Sequence, residues 1–141
     1  MKRLMAIDFG AKRTGLAVTD SQQLIATSLA TIETKQVLAF IKNYCAKEPV
    51  ETLVLGYPFN YGHQQNTVIP LLEKFKKELE RQLPDIPVVL ADERFSSKLA
   101  SRTIAMSGLK KSARENKSMI DQISATIILQ DFLEQKKNGM H

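Results

Sequence analysis

Apolar residues recur along this chain in two rhythms, and the change of rhythm divides it into elements. Leu4 to Asp8 is a short apolar run that ends on an acid, and Leu16 to Asp20 and Leu24 to Ser28 are two more short runs set off by turn residues. Such runs predict three strands, close enough in sequence to pair as hairpins. The spacing then lengthens: Val37, Leu38, Ile41, Tyr44 and Cys45 share one face of a predicted helix that Pro49 closes. Thr52 to Leu55 predicts a fourth strand, leaving through Gly56, Tyr57 and Pro58. Val68, Leu72, Phe75, Leu79 and Leu83 mark a second amphipathic helix, and Val88 to Ala91 a fifth strand that runs into Asp92 and Glu93. Ser96 or Ser97 could cap a helix reaching about Gly108. Residues 109–117 are polar and basic without periodicity, and a last helix is predicted from about Ser118 to Glu134.

The predicted order is βββαβαβαα. Strands alternating with helices in the second half imply right-handed crossovers and parallel pairing, whereas the first three strands pair antiparallel. The predicted fold class is therefore α/β, a five-stranded mixed sheet with helices on both faces. Neither a repeat nor a linker interrupts it, so one domain is expected over residues 1–135, followed by a polar C-terminal tail, 136–141, that frays. A chain of 141 residues is long enough to bury about 70% of the surface its unfolded form exposes.

Composition narrows the chemistry. With 43% apolar and 25% charged residues the chain has the make-up of a folded domain. It holds no run of about 18 apolar residues, and Asp8 interrupts the N-terminus before a secretory core could form, so a cytoplasmic protein is expected. The single Cys45 excludes an internal disulfide or a CxxC redox pair, and its spacing puts it in or near the core. His63 and His141 have no acid at useful spacing, and neither GxxxxGK[ST] nor GxGxxG occurs, which argues against a histidine mechanism and a phosphate-binding P-loop. Twenty Lys and Arg against fifteen Asp and Glu give a net charge of +5, a balance that favours a polyanionic partner such as nucleic acid.

In open α/β sheets, ligand sites gather at the carboxyl ends of the strands. Asp8 ends the first predicted strand there and Glu93 follows the fifth, while Asp121 shares a helix face with Ala125 and Ile128, the face expected to pack on the sheet. Each acid also has a plain structural reading: Asp8 could cap a turn, Glu93 could belong to a solvated cluster with Asp92 and Arg94, and Asp121 could pair with Lys117. If the three converge, their mutual repulsion calls for protonation or a hard cation, and oxygen donors suit Mg²⁺ or Mn²⁺, as one or two ions. Lys12, Arg13, Arg94, Lys110, Lys111, Arg114 and Lys117 fall in loops or element ends on the same side, a basic rim suited to phosphates. Gly10 and Gly15 give the backbone room beside Asp8.

These motifs together, DFGAKRTGLAV from Asp8, GYP from Gly56, DERFSS from Asp92 and DQISA from Asp121, resemble the YqgF or RuvX family of small bacterial proteins over nearly the whole chain. The resemblance implies an RNase H-like sheet and a Mg²⁺ or Mn²⁺ site built by Asp8, Glu93 and Asp121 as catalytic ligands. Lys12, Arg13, Arg94 and Lys117 would then bind substrate. It implies a nuclease acting in maturation of the 5′ end of the small-subunit ribosomal RNA precursor; an older family label is Holliday junction resolvase. The RuvC resolvases carry a further acid where this chain has Ser124, and family members commonly show GLP and DERLT where it reads Tyr57, Phe95 and Ser96. Two alternatives stay open: a junction resolvase, which needs a symmetric dimer, and an RNA-binding assembly factor that does not cut. A monomer or weak homodimer is expected. An actin-like ATPase, whose hairpin also opens on an Asp-Gly strand, needs two such domains where this chain has length for one.

Overall fold

Strand β1 (Arg3–Asp8) is buried without interruption from Leu4 through Ile7, because it lies in the middle of the sheet with both faces covered. The computed structural model describes residues 2–57, 68–92 and 117–137. Around β1 the chain builds a five-stranded sheet in the order β3-β2-β1-β4-β5. Strands β2 (Arg13–Thr19) and β3 (Ala26–Glu33) run antiparallel, with Asp8 opposite Gly15 and Gly15 opposite Thr31. Strands β4 (Val50–Tyr57) and β5 (Val88–Asp92) lie parallel to β1 and to each other, with Ile7 beside Leu55 and Tyr57 beside Asp92. The mixed sheet expected from the pattern is the one observed.

One boundary differs. Leu24 and Ile25, which the pattern assigns to a third strand, are each 63% exposed and precede a strand that starts at Ala26 and runs on to Glu33. The Asp20 carboxylate accounts for this, since it accepts backbone N–H bonds from Gln22, Leu24 and Ile25 and folds the segment into a turn. Those bonds, that from Ile25 foremost, hold the Asp20 carboxyl below its ordinary range.

Each face of the sheet has its own core. Met5, Ile7, Leu16, Val18, Leu53 and Leu55 pack on helices α1 (Thr34–Lys47) and α2 (Val68–Gln82) through Val37, Ile41, Leu72, Phe75 and Leu79. On the other face Leu4, Ala6, Ala17, Ala26 and Val54 meet Ala125, Ile128, Leu129 and Phe132 of helix α3 (Lys117–Lys137). Alanines on both sides of that second interface let helix and sheet approach closely. Cys45 is half-buried against the first core, and burial pushes its thiol up. The helix expected between Ser96 and Gly108 and the basic stretch 109–116 lie outside the described residues. Helix α3 continues to Lys137, past the predicted helix end at Glu134 and into the first residues of the expected tail, Lys136 and Lys137. Among the described residues no helix is long and apolar enough to cross a membrane.

Candidate active site at the carboxyl edge of the sheet

Because β1, β4 and β5 are parallel, Asp8, Tyr57 and Asp92 end them at one edge. Alternation along β1 puts Asp8 in the row of Leu4 and Ala6, on the α3 side. Its cross-strand partner, Gly15, has no side chain, so the half-buried carboxylate has no bulky neighbour at that register position.

Helix α3 reaches the same edge. Near its C-terminal end, Lys136 Nζ lies 2.8 Å from Gln23 Oε1 and 3.0 Å from Glu51 Oε2, at the opposite, amino-terminal edge of the parallel strands. From Lys136 back to Asp121 a helix rises about 22 Å, and β1 is about 17 Å long, so α3 is long enough to span the sheet from that edge to the one that Asp8 ends. Ala125 and Ile128, whose helix face the pattern gave Asp121, are buried against the sheet. Three residues beyond Asp121, the Ser124 hydroxyl is fully buried with no hydrogen-bond partner among the described residues. An unpaired buried hydroxyl costs about 1–3 kcal/mol. Asp8 thus ends its strand on the face that α3 covers, and Asp92, the last residue of β5, precedes Glu93. Glu93 and Arg94 lie outside the described residues, as do the side chains of Lys117 and Asp121. Among the described residues no three acids, histidines or cysteines gather as a metal-holding group.

Lys12 and Arg13 are carried on the β1–β2 turn, and α1 braces that turn through a residue the sequence reading passed over. The Thr34 N–H donates to the Lys12 carbonyl at 2.9 Å, and its Oγ1 donates to the Gly10 carbonyl at 2.6 Å. The same Oγ1 is left to accept from the buried Thr14 hydroxyl at 2.9 Å. Gly10 is required by space, since a Cβ there would collide with the backbone carbonyl oxygen of Arg13. Lys12 is exposed and Arg13, the first residue of β2, is half-buried.

The other side of this edge is aromatic. Phe9, directly after Asp8, and Tyr57, at the end of β4, are both half-buried against the core shared with α1 and α2. The Phe9 ring packs on Phe75, with centroids 4.9 Å apart and planes inclined 34°. The Tyr57 hydroxyl donates to Glu73 Oε2 at 2.7 Å, and this bond raises the phenol above its ordinary range. Helical periodicity found Phe75 as core; the pairs across elements, Tyr57 with Glu73 and Thr34 with Gly10, leave no periodic mark in a sequence.

A family model described as "RuvX: Holliday junction resolvase" matches residues 2–135. Relatives from Bacteroides thetaiotaomicron and Phocaeicola vulgatus, each named "Putative pre-16S rRNA nuclease", are 48% and 49% identical over 137 residues, covering 97% of this chain and 99% of theirs. A relative of the same name from Flavobacterium psychrophilum is 44% identical over 136 residues, 96% of this chain and 99% of its own. Among solved structures, Thermus thermophilus RuvC in complex with a Holliday junction substrate superposes with a TM-score of 0.61 at 16% identity, covering 99% of this chain and 98% of that one. At that identity the likeness establishes the shared RNase H-like architecture expected from the sequence.

Proposed function

The chain belongs to the RuvX family, and from that premise we propose that it is a metal-dependent nuclease of the cytoplasm, hydrolysing phosphodiester bonds in maturation of the 5′ end of the 16S ribosomal RNA precursor. The observation that supports the reading is that the parallel strands β1 and β5 end at one sheet edge on Asp8 and on Asp92, the residue before Glu93; Asp121, on the helix that covers the Asp8 side of the sheet, completes the proposed set.

The donor set fits Mg²⁺ or Mn²⁺. Asp8, Glu93 and Asp121 would supply hard oxygen ligands, and the buried Ser124 hydroxyl, without a partner among the described residues, offers a further oxygen on the same helix. Such ions, when bound, activate a water and neutralise charge on the leaving oxygen. The chain's own residues do the positioning. Asp8 projects from a strand held on both sides, so its carboxylate is carried on a rigid mount. Lys12 and Arg13 hold phosphate oxygens on the turn that Thr34 braces, and Arg94 and Lys117 extend the basic rim.

The test is incubation of the protein with a labelled ribosomal RNA precursor that retains its 5′ leader, in Mg²⁺, in Mn²⁺ and in chelator, beside Asp8→Asn and with four-way junction DNA in parallel. Metal-dependent trimming that Asp8→Asn abolishes is expected. Cleavage confined to the junction would replace this reading with a resolvase, and RNA binding without cleavage in every metal would replace it with an assembly factor.

A further inference from the structure

We propose that Phe9 and Tyr57 form a platform on which an unpaired base of the substrate stacks, so that the strand presented to the carboxylates is single-stranded. The inference rests on the nuclease reading for its substrate and on the geometry of the aromatic side of the edge for its content.

Ile7 lies beside Leu55 in the last register pair of β1 and β4, and Phe9 and Tyr57 each follow two residues beyond it, at the same end of two neighbouring strands. Neighbouring strands are about 4.8 Å apart, so the two positions are adjacent. Both side chains pack on the same core and neither residue is fully buried, so this end of the two strands keeps an aromatic character that solvent reaches. Each ring is held from behind: Phe9 by the Phe75 ring, Tyr57 by its hydroxyl bond to Glu73. Holding a ring in place before the ligand arrives lowers the ordering cost of binding. Every base has a π-face, so such a platform accepts any sequence, and Lys12 and Arg13 on the adjoining turn supply the phosphate attraction that single-strand sites combine with stacking. In a duplex the base faces are already stacked on one another and cannot be given to the protein. Asp8, immediately before Phe9 and on the opposite side of the sheet, is one residue from the platform.

The experiment uses the full chain in chelator, with a short single-stranded RNA carrying 2-aminopurine and its duplex form, read by fluorescence anisotropy and by quenching of the 2-aminopurine. Tyr57→Leu and Phe9→Leu keep apolar volume and remove a ring, while Tyr57→Phe keeps the ring and loses the Glu73 bond. Expected are quenching by the wild type and single-strand affinity about 5- to 30-fold weaker in each Leu variant, with Tyr57→Phe, which keeps the ring but not its tether, about 2- to 3-fold weaker than wild type. Duplex binding should be unchanged throughout. Absence of quenching by the wild type, or folded Leu variants that bind the single strand within twofold of it, would overturn the platform. Quenching without cleavage in the metal assay would sink the nuclease reading and leave the platform standing; cleavage without quenching would do the reverse.

Discussion

Substituting Thr34 by Val tests whether the turn that carries Lys12 and Arg13 is held from α1. Valine keeps the shape and the backbone N–H bond to Lys12, and removes two hydroxyl bonds, of 2.6 Å to the Gly10 carbonyl and 2.9 Å from Thr14. The two losses differ in cost. The Gly10 carbonyl belongs to a half-buried residue and can turn to water, at about 0.5–1 kcal/mol, but Thr14 is fully buried and would keep a hydroxyl with no acceptor, at about 1–3 kcal/mol. The sum is about 2 kcal/mol. With a urea dependence of about 2 kcal/mol per molar, the unfolding midpoint should fall by about 1 M. Because the strain centres on one orphaned group, the Thr14→Val/Thr34→Val double variant should lose clearly less than the two single losses added together. A midpoint shift below about 0.2 M for Thr34→Val, or strictly additive losses, would refute the bracing. In the RNA assay the loosened turn should raise KM more than it lowers kcat, since the proposed function assigns Lys12 and Arg13 to binding.

Two further predictions address the α3 side of the sheet. Leu129 is fully buried between α3 and the sheet, so Leu129→Ala should cost about 2–5 kcal/mol and lower Tm by about 10 °C in a thermal melt; a drop under about 4 °C would mean that the helix does not pack as described. Glu51 is held below its ordinary value of 4.5 chiefly by the Lys136 bond, with Gln23 adding to it. A depressed carboxyl stabilises the fold above its unfolded value and ceases to do so as pH falls through the folded one. The stability gap between wild type and Glu51→Gln should therefore be present at pH 7, worth under about 1 kcal/mol for so exposed a pair, and close as pH drops below 4.5. Urea titrations at both ends of that range check it, and a gap that persists at low pH would refute the assignment.

What could be read from the sequence follows from how locally each feature is encoded. Strand β1 and Asp8 were legible because a strand covered on both faces is apolar at every step, so the acid that ends it stands out. The start of β3 was misread because Leu24 and Ile25 are apolar yet exposed, and the signal that overrules them is a single carboxylate binding amides two to five residues ahead. Gln23, with φ of 59°, completes that turn without the glycine that would have announced it. Thr34 and Tyr57 stayed silent for another reason. Their partners, Gly10 and Glu73, are 24 and 16 residues away, and only the folded topology makes them neighbours. Glu93 and Asp121 rest on the sequence pattern and the family resemblance alone.

The two faces of the sheet divide the work at its carboxyl edge. Asp8 belongs to the alanine-lined side, where small residues at Ala6, Ala17 and Ala125 let α3 lie close to the sheet. Phe9 belongs to the other side, with Tyr57, where rings are held by α2. Since adjacent residues of one extended chain point to opposite faces, Asp8 and Phe9 can serve the phosphate and the base of one strand without competing for the same space. The same alternation explains why the acid must end its strand in a protein whose core is otherwise apolar. One residue earlier it would lie on the α1 and α2 side, between Met5 and the rings; where it stands, it shares the side that α3 covers, the helix from which the proposed site takes Asp121.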